Sequence, residues 1–274
     1  MKYIREGRFG APKSFKTGGV VGTYPKPMLV FEFNEGGLDV IPTKAELVSK
    51  DRIIMDCTQN DINYIESASL EAACKAPPDK LPKITCLDFS KFKQHSISEK
   101  YGFEGEKQGF ITFIDSFNKI VRNGCPWKTI VLDPTTDLIE MIIAHMTQTN
   151  KAAMETKGSF DPRHWAPMAA GKLQQIITAM NSLPCHTVFI MHAATSENET
   201  TKEIRTTPMI VSQFRDRIGG CLSQFFYSTK EGDKPVVYTT DKGFIKGIGC
   251  RWPSNLPAVC SADFNSIYGK EQLV

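Results

Sequence analysis

The chain carries little surplus charge. Thirty-three Lys and Arg against thirty Asp and Glu leave +3 over 274 residues. The protein as a whole is therefore no electrostatic magnet for nucleic acid, and any such contact has to come from local loops. Long apolar runs are missing as well: none approaches the about 18 residues of a membrane span. Residues 1–8 hold no apolar stretch of the signal-peptide kind, which favours a cytoplasmic setting. The eight cysteines, Cys57, Cys74, Cys86, Cys125, Cys185, Cys221, Cys250 and Cys260, are scattered without a C-x-x-C pair. That argues against zinc and for reduced core thiols. No internal repeat, low-complexity tract or linker divides the chain, and its length suits one large α/β domain over 1–274.

What is present begins at Gly10. Residues 10–17 read Gly-Ala-Pro-Lys-Ser-Phe-Lys-Thr. This is the phosphate-loop pattern G-x-x-x-x-G-K-[ST] with Phe15 in the place of the second glycine. In that pattern the backbone of Gly10, Ala11, Pro12, Lys13, Ser14, Phe15 and Gly18 surrounds the phosphates. Lys16 reaches the β/γ-phosphates, the Thr17 hydroxyl holds Mg²⁺, and the following helix points its positive end at the anion. Read locally, the same residues make a turn rich in Gly, Pro and Lys. If the backbone at Phe15 took positive φ, a non-glycine there would cost about 1–2 kcal/mol. Its ring is expected in the core beside the first strand. Residues 27–33 form an apolar strand pattern that runs into Asn34-Glu35-Gly36-Gly37-Leu38-Asp39. Residues 128–133 form a second, ending in Asp133, the place for a carboxylate that binds Mg²⁺ through its water shell. Apolar strands ending in Asp are common, so the weight comes from their order behind the loop.

In that order the motifs resemble RecA. The strand followed by Glu35-Gly36-Gly37-Leu38-Asp39 is similar to the RecA pattern whose second strand ends in the water-activating glutamate. A helix over 168–180 and a strand over 187–191 ending in His192 continue it. More closely, the chain resembles the short RecA-like ATPases of phages associated with single-strand annealing and recombination. Their late pattern of proline, polar helix and apolar strand is similar to Thr207-Pro208, Phe214-Arg215-Asp216 and Phe225-Phe226-Tyr227. The resemblance spans roughly residues 8–268, as ordered motifs.

It implies a RecA-like P-loop NTPase core: a mostly parallel central sheet flanked by helices, with a C-terminal β-hairpin. It implies ATP hydrolysis with Mg²⁺, single-stranded DNA as partner, and work in phage recombination, annealing or replication. A homo-oligomer in the host cytoplasm, with no membrane contact, goes with it. Glu35 becomes the general base, with Lys16 and His192 completing the catalytic set. His192 stands where RecA has a γ-phosphate-sensing glutamine, and Asp39 where RecA meets the adenine. DNA contact is implied for residues 147–164, with Lys151, Lys157, Arg163, His164 and Trp165, and for 193–207, with Lys202 and Arg205. Lys246 and Arg251 are the basic residues that would reach a neighbour's γ-phosphate.

Blander local readings stay open for several of these. Glu35 also reads as a solvated strand-end carboxylate, His192 as bonded to backbone, and Asp39 as a turn residue. Residues 193–207 also read as a polar loop or hairpin whose Glu197, Glu199 and Glu203 offset its cations. Residues 236–240 and 243–251 suggest a hairpin about 241–243. The stretch 43–100 is the least readable, with a short helix over 44–48, a strand over 52–56 and a proline-rich turn over 76–82; a further helix is predicted at 110–121. The competing function is a nucleotide-binding switch or assembly factor with little hydrolysis, through a loop degenerate at Phe15. A small-molecule kinase shares the loop but would need an arginine-rich lid that the sequence lacks.

Overall fold

A computed structural model describes residues 3–10, 13–41, 55–92, 102–150, 155–156, 159–197, 202, 204–215, 217–232, 234–251 and 256–269. Of these, 13–16, 102–104, 155–156, 159–160 and 212–213 are described through their backbone.

Among the described residues seven strands lie parallel. From one side they run β11 (Gln224–Glu231), β1 (Arg5–Gly10), β8 (His186–Met191), β5 (Thr129–Asp133), β2 (Met28–Glu32), β4 (Ile84–Asp88) and β3 (Ile62–Tyr64). Antiparallel β12 (Lys234–Tyr238) and β14 (Val259–Ser261) extend the β11 side. The central strands are buried along their whole length, which is why they read as unbroken apolar runs. Their residues alternate between two cores. Leu29, Phe31, Ile130, Leu132, Phe189 and Met191 face a cluster built with α3 (Gly102–Asn123), α4 (Thr135–Thr149) and α5 (Pro162–Asn181). Met28, Val30, Val131, Val188 and Ile190 face the opposite cluster, which includes α1 (Lys13–Thr23) and α8 (Phe264–Tyr268). The expected mostly parallel sheet with helices on both faces is therefore the fold.

Several sequence expectations change. The hairpin about 241–243 does not form, because β12 takes β11 on one edge and Val259–Ser261 on the other, leaving no edge for 243–251. The C-terminal hairpin is β11–β12, turning at Gly232 (φ +60). Gly249–Cys250 (β13) pairs instead with the start of β11. In the stretch hardest to read, the structure has β3, β4 and α2 (Leu70–Lys75). The expected helix over 44–48 lies outside the described residues, as does most of the strand over 52–56; Met55 and Asp56 are not in a strand. Among the described residues no helix is long and apolar enough to cross a membrane.

Candidate functional site

Gly10, Glu32, Asp133 and Met191 close their parallel strands at the same edge of the sheet, with His192 directly behind Met191. β8 lies between the strand that enters the phosphate loop and the strand that ends in Asp133.

Gly10 is required twice over. Its φ is +134, and a Cβ there would lie 1.9 Å from the Ser228 carbonyl oxygen on the neighbouring strand. Helix α1 starts at Lys13, inside the motif rather than after it. The first four N–H groups of a helix lack intrahelical acceptors, an arrangement that suits an anion. The backbone at Phe15 is helical. Among the described residues, the one non-glycine with positive φ is Lys202, so the strain expected at Phe15 does not arise. Ala11 and Pro12, and the side chains of Lys13, Ser14, Phe15 and Lys16, lie outside the described part, and with them the expected burial of the Phe15 ring. Gly18 is buried against Met55, whose Cε would stand 3.0 Å from an added Cβ.

Thr17 is fully buried, and its hydroxyl has no hydrogen-bond partner among the described residues. Asp133 is 1% exposed. An orphaned hydroxyl at the start of α1 and a buried carboxylate at the end of β5 are the hard oxygen donors that Mg²⁺ prefers, so the residues present fit the ion. The Ser228 hydroxyl, beside Gly10, is likewise buried without a partner among the described residues.

The carboxylate that the fold brings to this edge is Glu32. It is 3% exposed and in register with Asp133 on one side and Asp88 on the other. Its Oε1 accepts the Leu38 N–H at 3.0 Å, and its Oε2 accepts the Tyr64 hydroxyl at 3.3 Å. The approach depends on Gly37, where a Cβ would sit 2.3 Å from Glu32 Oε1. The tight Gly36-Gly37 path thus passes over this carboxylate, with Gly36 at φ +66. Burial raises the Glu32 pKa, the Leu38 N–H and the Cys86 thiol counter it, and Asp88 and Asp133 raise it further. Glu35 is exposed in the turn beyond. Sequence reading passed over Glu32 because it counted as one residue within the apolar strand over 27–33; the signal was a carboxylate inside a buried run.

Asp39 is exposed in a short 3-10 turn, folded back over Gly36. The N–H of His192 donates to Thr136 Oγ1 at 3.0 Å, and its carbonyl accepts from Met209 N–H at 2.8 Å. Between those two contacts the chain leaves as a hairpin, β9 (Ala193–Glu197) and β10 (Ile204–Pro208). Lys202 reaches Glu197 at 3.5 Å, Arg205 is exposed, and the Phe244 carbonyl accepts the Thr206 N–H at 2.9 Å, leaving the ring 53% exposed. Lys246 is exposed one residue past Ile245, which bridges to Thr206. Arg251 follows β13 at the opposite, N-terminal edge, donating to the Gly220 carbonyl. Arg163 is engaged with Asp161, the N-cap of α5, at 2.6 Å. Trp165, expected as a base platform, is half-buried and packs against the core. Lys151 and Lys157 lie outside the described residues.

No curated protein matches the chain. A family model described as an AAA domain matches residues 22–243, from just past the phosphate motif to the segment after β12. It implies nucleotide binding and ATPase activity, typically with Mg²⁺. With most of its length matched, the chain belongs to this AAA-type P-loop ATPase family.

Proposed function

We propose that the protein binds and hydrolyses ATP at the C-terminal edge of its parallel sheet and uses the cycle on single-stranded DNA, as a RecA-like ATPase of phage recombination, annealing or replication. One observation carries the first half: Gly10, the start of α1, the orphaned Thr17 hydroxyl, Asp133 and Glu32 converge on that edge. The helix N-terminus and Lys16 hold the β- and γ-phosphates. Thr17 and Asp133 would hold Mg²⁺, whose charge offsets that of the phosphates. Glu32 accepts the proton of the attacking water as its oxygen bonds to the γ-phosphorus and the bridging oxygen leaves with ADP. Glu32 is buried with its pKa raised, as suits a base, whereas Glu35 is exposed in the turn beyond. DNA action is supported by the hairpin that grows from His192, with Lys202, Arg205 and the exposed Phe244 ring beside it. Cations along a backbone and a ring for stacking suit a single strand.

The test is Mg·ATP turnover with and without single-stranded DNA, in the parent and in Lys16→Ala. Turnover that DNA stimulates, lost together with nucleotide binding in Lys16→Ala, is expected. Equal ATP binding by both proteins would remove the phosphate-loop reading. A second reading, a switch with little hydrolysis, draws on the hydrogen bond that already occupies Glu32 Oε1; tight binding without phosphate release would favour it.

A further inference from the structure

On the α1 face of the sheet, Glu6 and Arg8 form an ion pair closed to solvent, with both residues 0% exposed and Arg8 Nε 2.6 Å from Glu6 Oε1. The pair reaches outward to two other parts of the chain. Arg8 Nη2 donates to the Tyr24 hydroxyl at 2.9 Å, and Nη1 to the Ala262 carbonyl at 3.0 Å. The hydroxyls of Tyr24 and Tyr268 both donate to Glu6 Oε2. Tyr24 directly follows α1, whereas Ala262 and Tyr268 belong to the C-terminal segment. A second tie lies alongside: Thr23 Oγ1, on the last residue of α1, accepts the Phe264 N–H at 2.9 Å. The Phe264 and Tyr268 rings meet the Tyr24 ring edge-on at 4.8 and 6.2 Å between centroids.

Removing two charges from water is costly and is sustained only where geometry and hydrogen bonding are complete. This network meets that demand with groups from β1, the end of α1 and residues 262–268. Burial by itself would lower the Arg8 pKa, but Glu6 together with Tyr24 and Tyr268 outweighs it and the guanidinium is held above its ordinary value. Burial pushes both tyrosines well above theirs, so they remain hydroxyl donors. The placement matters because β1 and α1 are the two elements that the phosphate loop joins. Glu6 and Arg8 stand four and two residues before Gly10, and Tyr24 caps the far end of the helix. The family match, over 22–243, covers neither Glu6 and Arg8 nor Ala262 and Tyr268.

We propose that residues 262–268 are a clasp that positions the phosphate loop for nucleotide, with Glu6, Arg8, Tyr24 and Tyr268 as its positioning residues. The proposal rests on the nucleotide site assigned to residues 10–17. Docking of the clasp holds strand and helix at the separation that the loop needs. By linkage, nucleotide on the loop favours the docked clasp by the same factor.

The full chain is tested with Mg·ATP as probe. Dissociation constants are measured for the parent, for Tyr268→Phe, and for Ile177→Val, a core change on α5 remote from the network. Hydrogen exchange over 262–268 is followed in the parent with and without Mg·ATP. Tyr268→Phe is expected to weaken binding about fivefold or more, raising KM while leaving kcat. Ile177→Val is expected to lower Tm without changing binding, and Mg·ATP to slow exchange across 262–268. Equal affinity in the parent and Tyr268→Phe, or exchange indifferent to nucleotide, overturns the clasp and leaves the nucleotide site standing. A parent that binds no Mg·ATP overturns both.

Discussion

Glu32 and Asp133 end adjacent parallel strands in register, and both are buried. The next residue extends the pairing, with Phe33 N–H donating to the Asp133 carbonyl at 2.8 Å. On the proposed mechanism, the water-activating group and a metal-binding group thereby share one buried strand edge. Glu32→Gln is expected to keep ATP binding and lose turnover by about a hundredfold or more, whereas Glu35→Gln stays near the parent. Single-turnover phosphate release beside ATP titration checks both; the reverse order would return the role to Glu35. Because Glu32 is held above its ordinary value of 4.5, turnover should fall as acid protonates it, with a midpoint above that value. Glu32→Gln should remove that limb of the pH profile.

Gly10→Ala tests the loop's geometry. The new methyl would meet the Ser228 carbonyl at 1.9 Å in a backbone of φ +134. Backbone displacement and left-handed strain together are expected to cost about 2–4 kcal/mol. Urea unfolding measures the loss, and unchanged stability would show that the first strand ends differently.

His186 gives the fold an acid limit. Burial, then Arg5, lowers its pKa to about 4. Its Nδ1 accepts the Ile4 N–H at 3.0 Å, which demands the neutral ring. The unfolded chain takes up the proton near pH 6.5 and the folded one only near 4. Stability is therefore fully present above about 6.5 and lost as pH falls toward about 4, by about 3 kcal/mol at most. Unfolding free energy against pH should show that slope in the parent, and a shallower one in His186→Gln.

The hairpin behind His192 is the test of nucleic-acid contact. Lys202→Ala and Arg205→Ala should each weaken single-stranded DNA binding and flatten its salt dependence by a slope of about 0.7 per lost phosphate contact. Phe244→Ala should weaken it at all salt concentrations alike, by about 1–3 kcal/mol if the ring stacks on a base. Anisotropy titrations at several salt concentrations separate the two effects, and an unchanged salt slope in both basic variants would remove the hairpin from the DNA path.

Local pattern made the central strands legible. Residues 27–33, 128–133 and 187–191 are apolar runs with turn residues behind them, and β2, β5 and β8 lie within a residue of those bounds. The helix predicted over 110–121 is the second half of α3, because its start carries Gly102, Gly105 and Gly109, which weaken the helical signal. Two of these serve packing: a Cβ on Gly105 would meet the Phe92 carbonyl at 2.3 Å, and one on Gly109 the Phe92 Cβ at 2.9 Å. Phe15 shows the opposite error. A motif template assigned it a loop conformation, and the helix that starts at Lys13 takes it in. Phe15→Gly should accordingly relieve no strain and cost the helix about 0.5 kcal/mol.

By itself the sequence determined the order of the parts: a glycine before a basic, threonine-bearing helix start, then apolar strands ending in carboxylates. Those are local properties, set by side-chain periodicity and turn chemistry. Which carboxylate stands beside Asp133, and which distant residues join Glu6 and Arg8, were decided by the tertiary structure. Glu32 rather than Glu35 meets Asp133 because β2 pairs with β5 in a register set by partners about a hundred residues apart. The Glu6–Arg8 ion pair sits in the interior with Tyr268, from the other end of the chain, donating to Glu6. Non-local pairing of this kind leaves no periodic mark on either partner, so it becomes visible only when the chain has closed on itself.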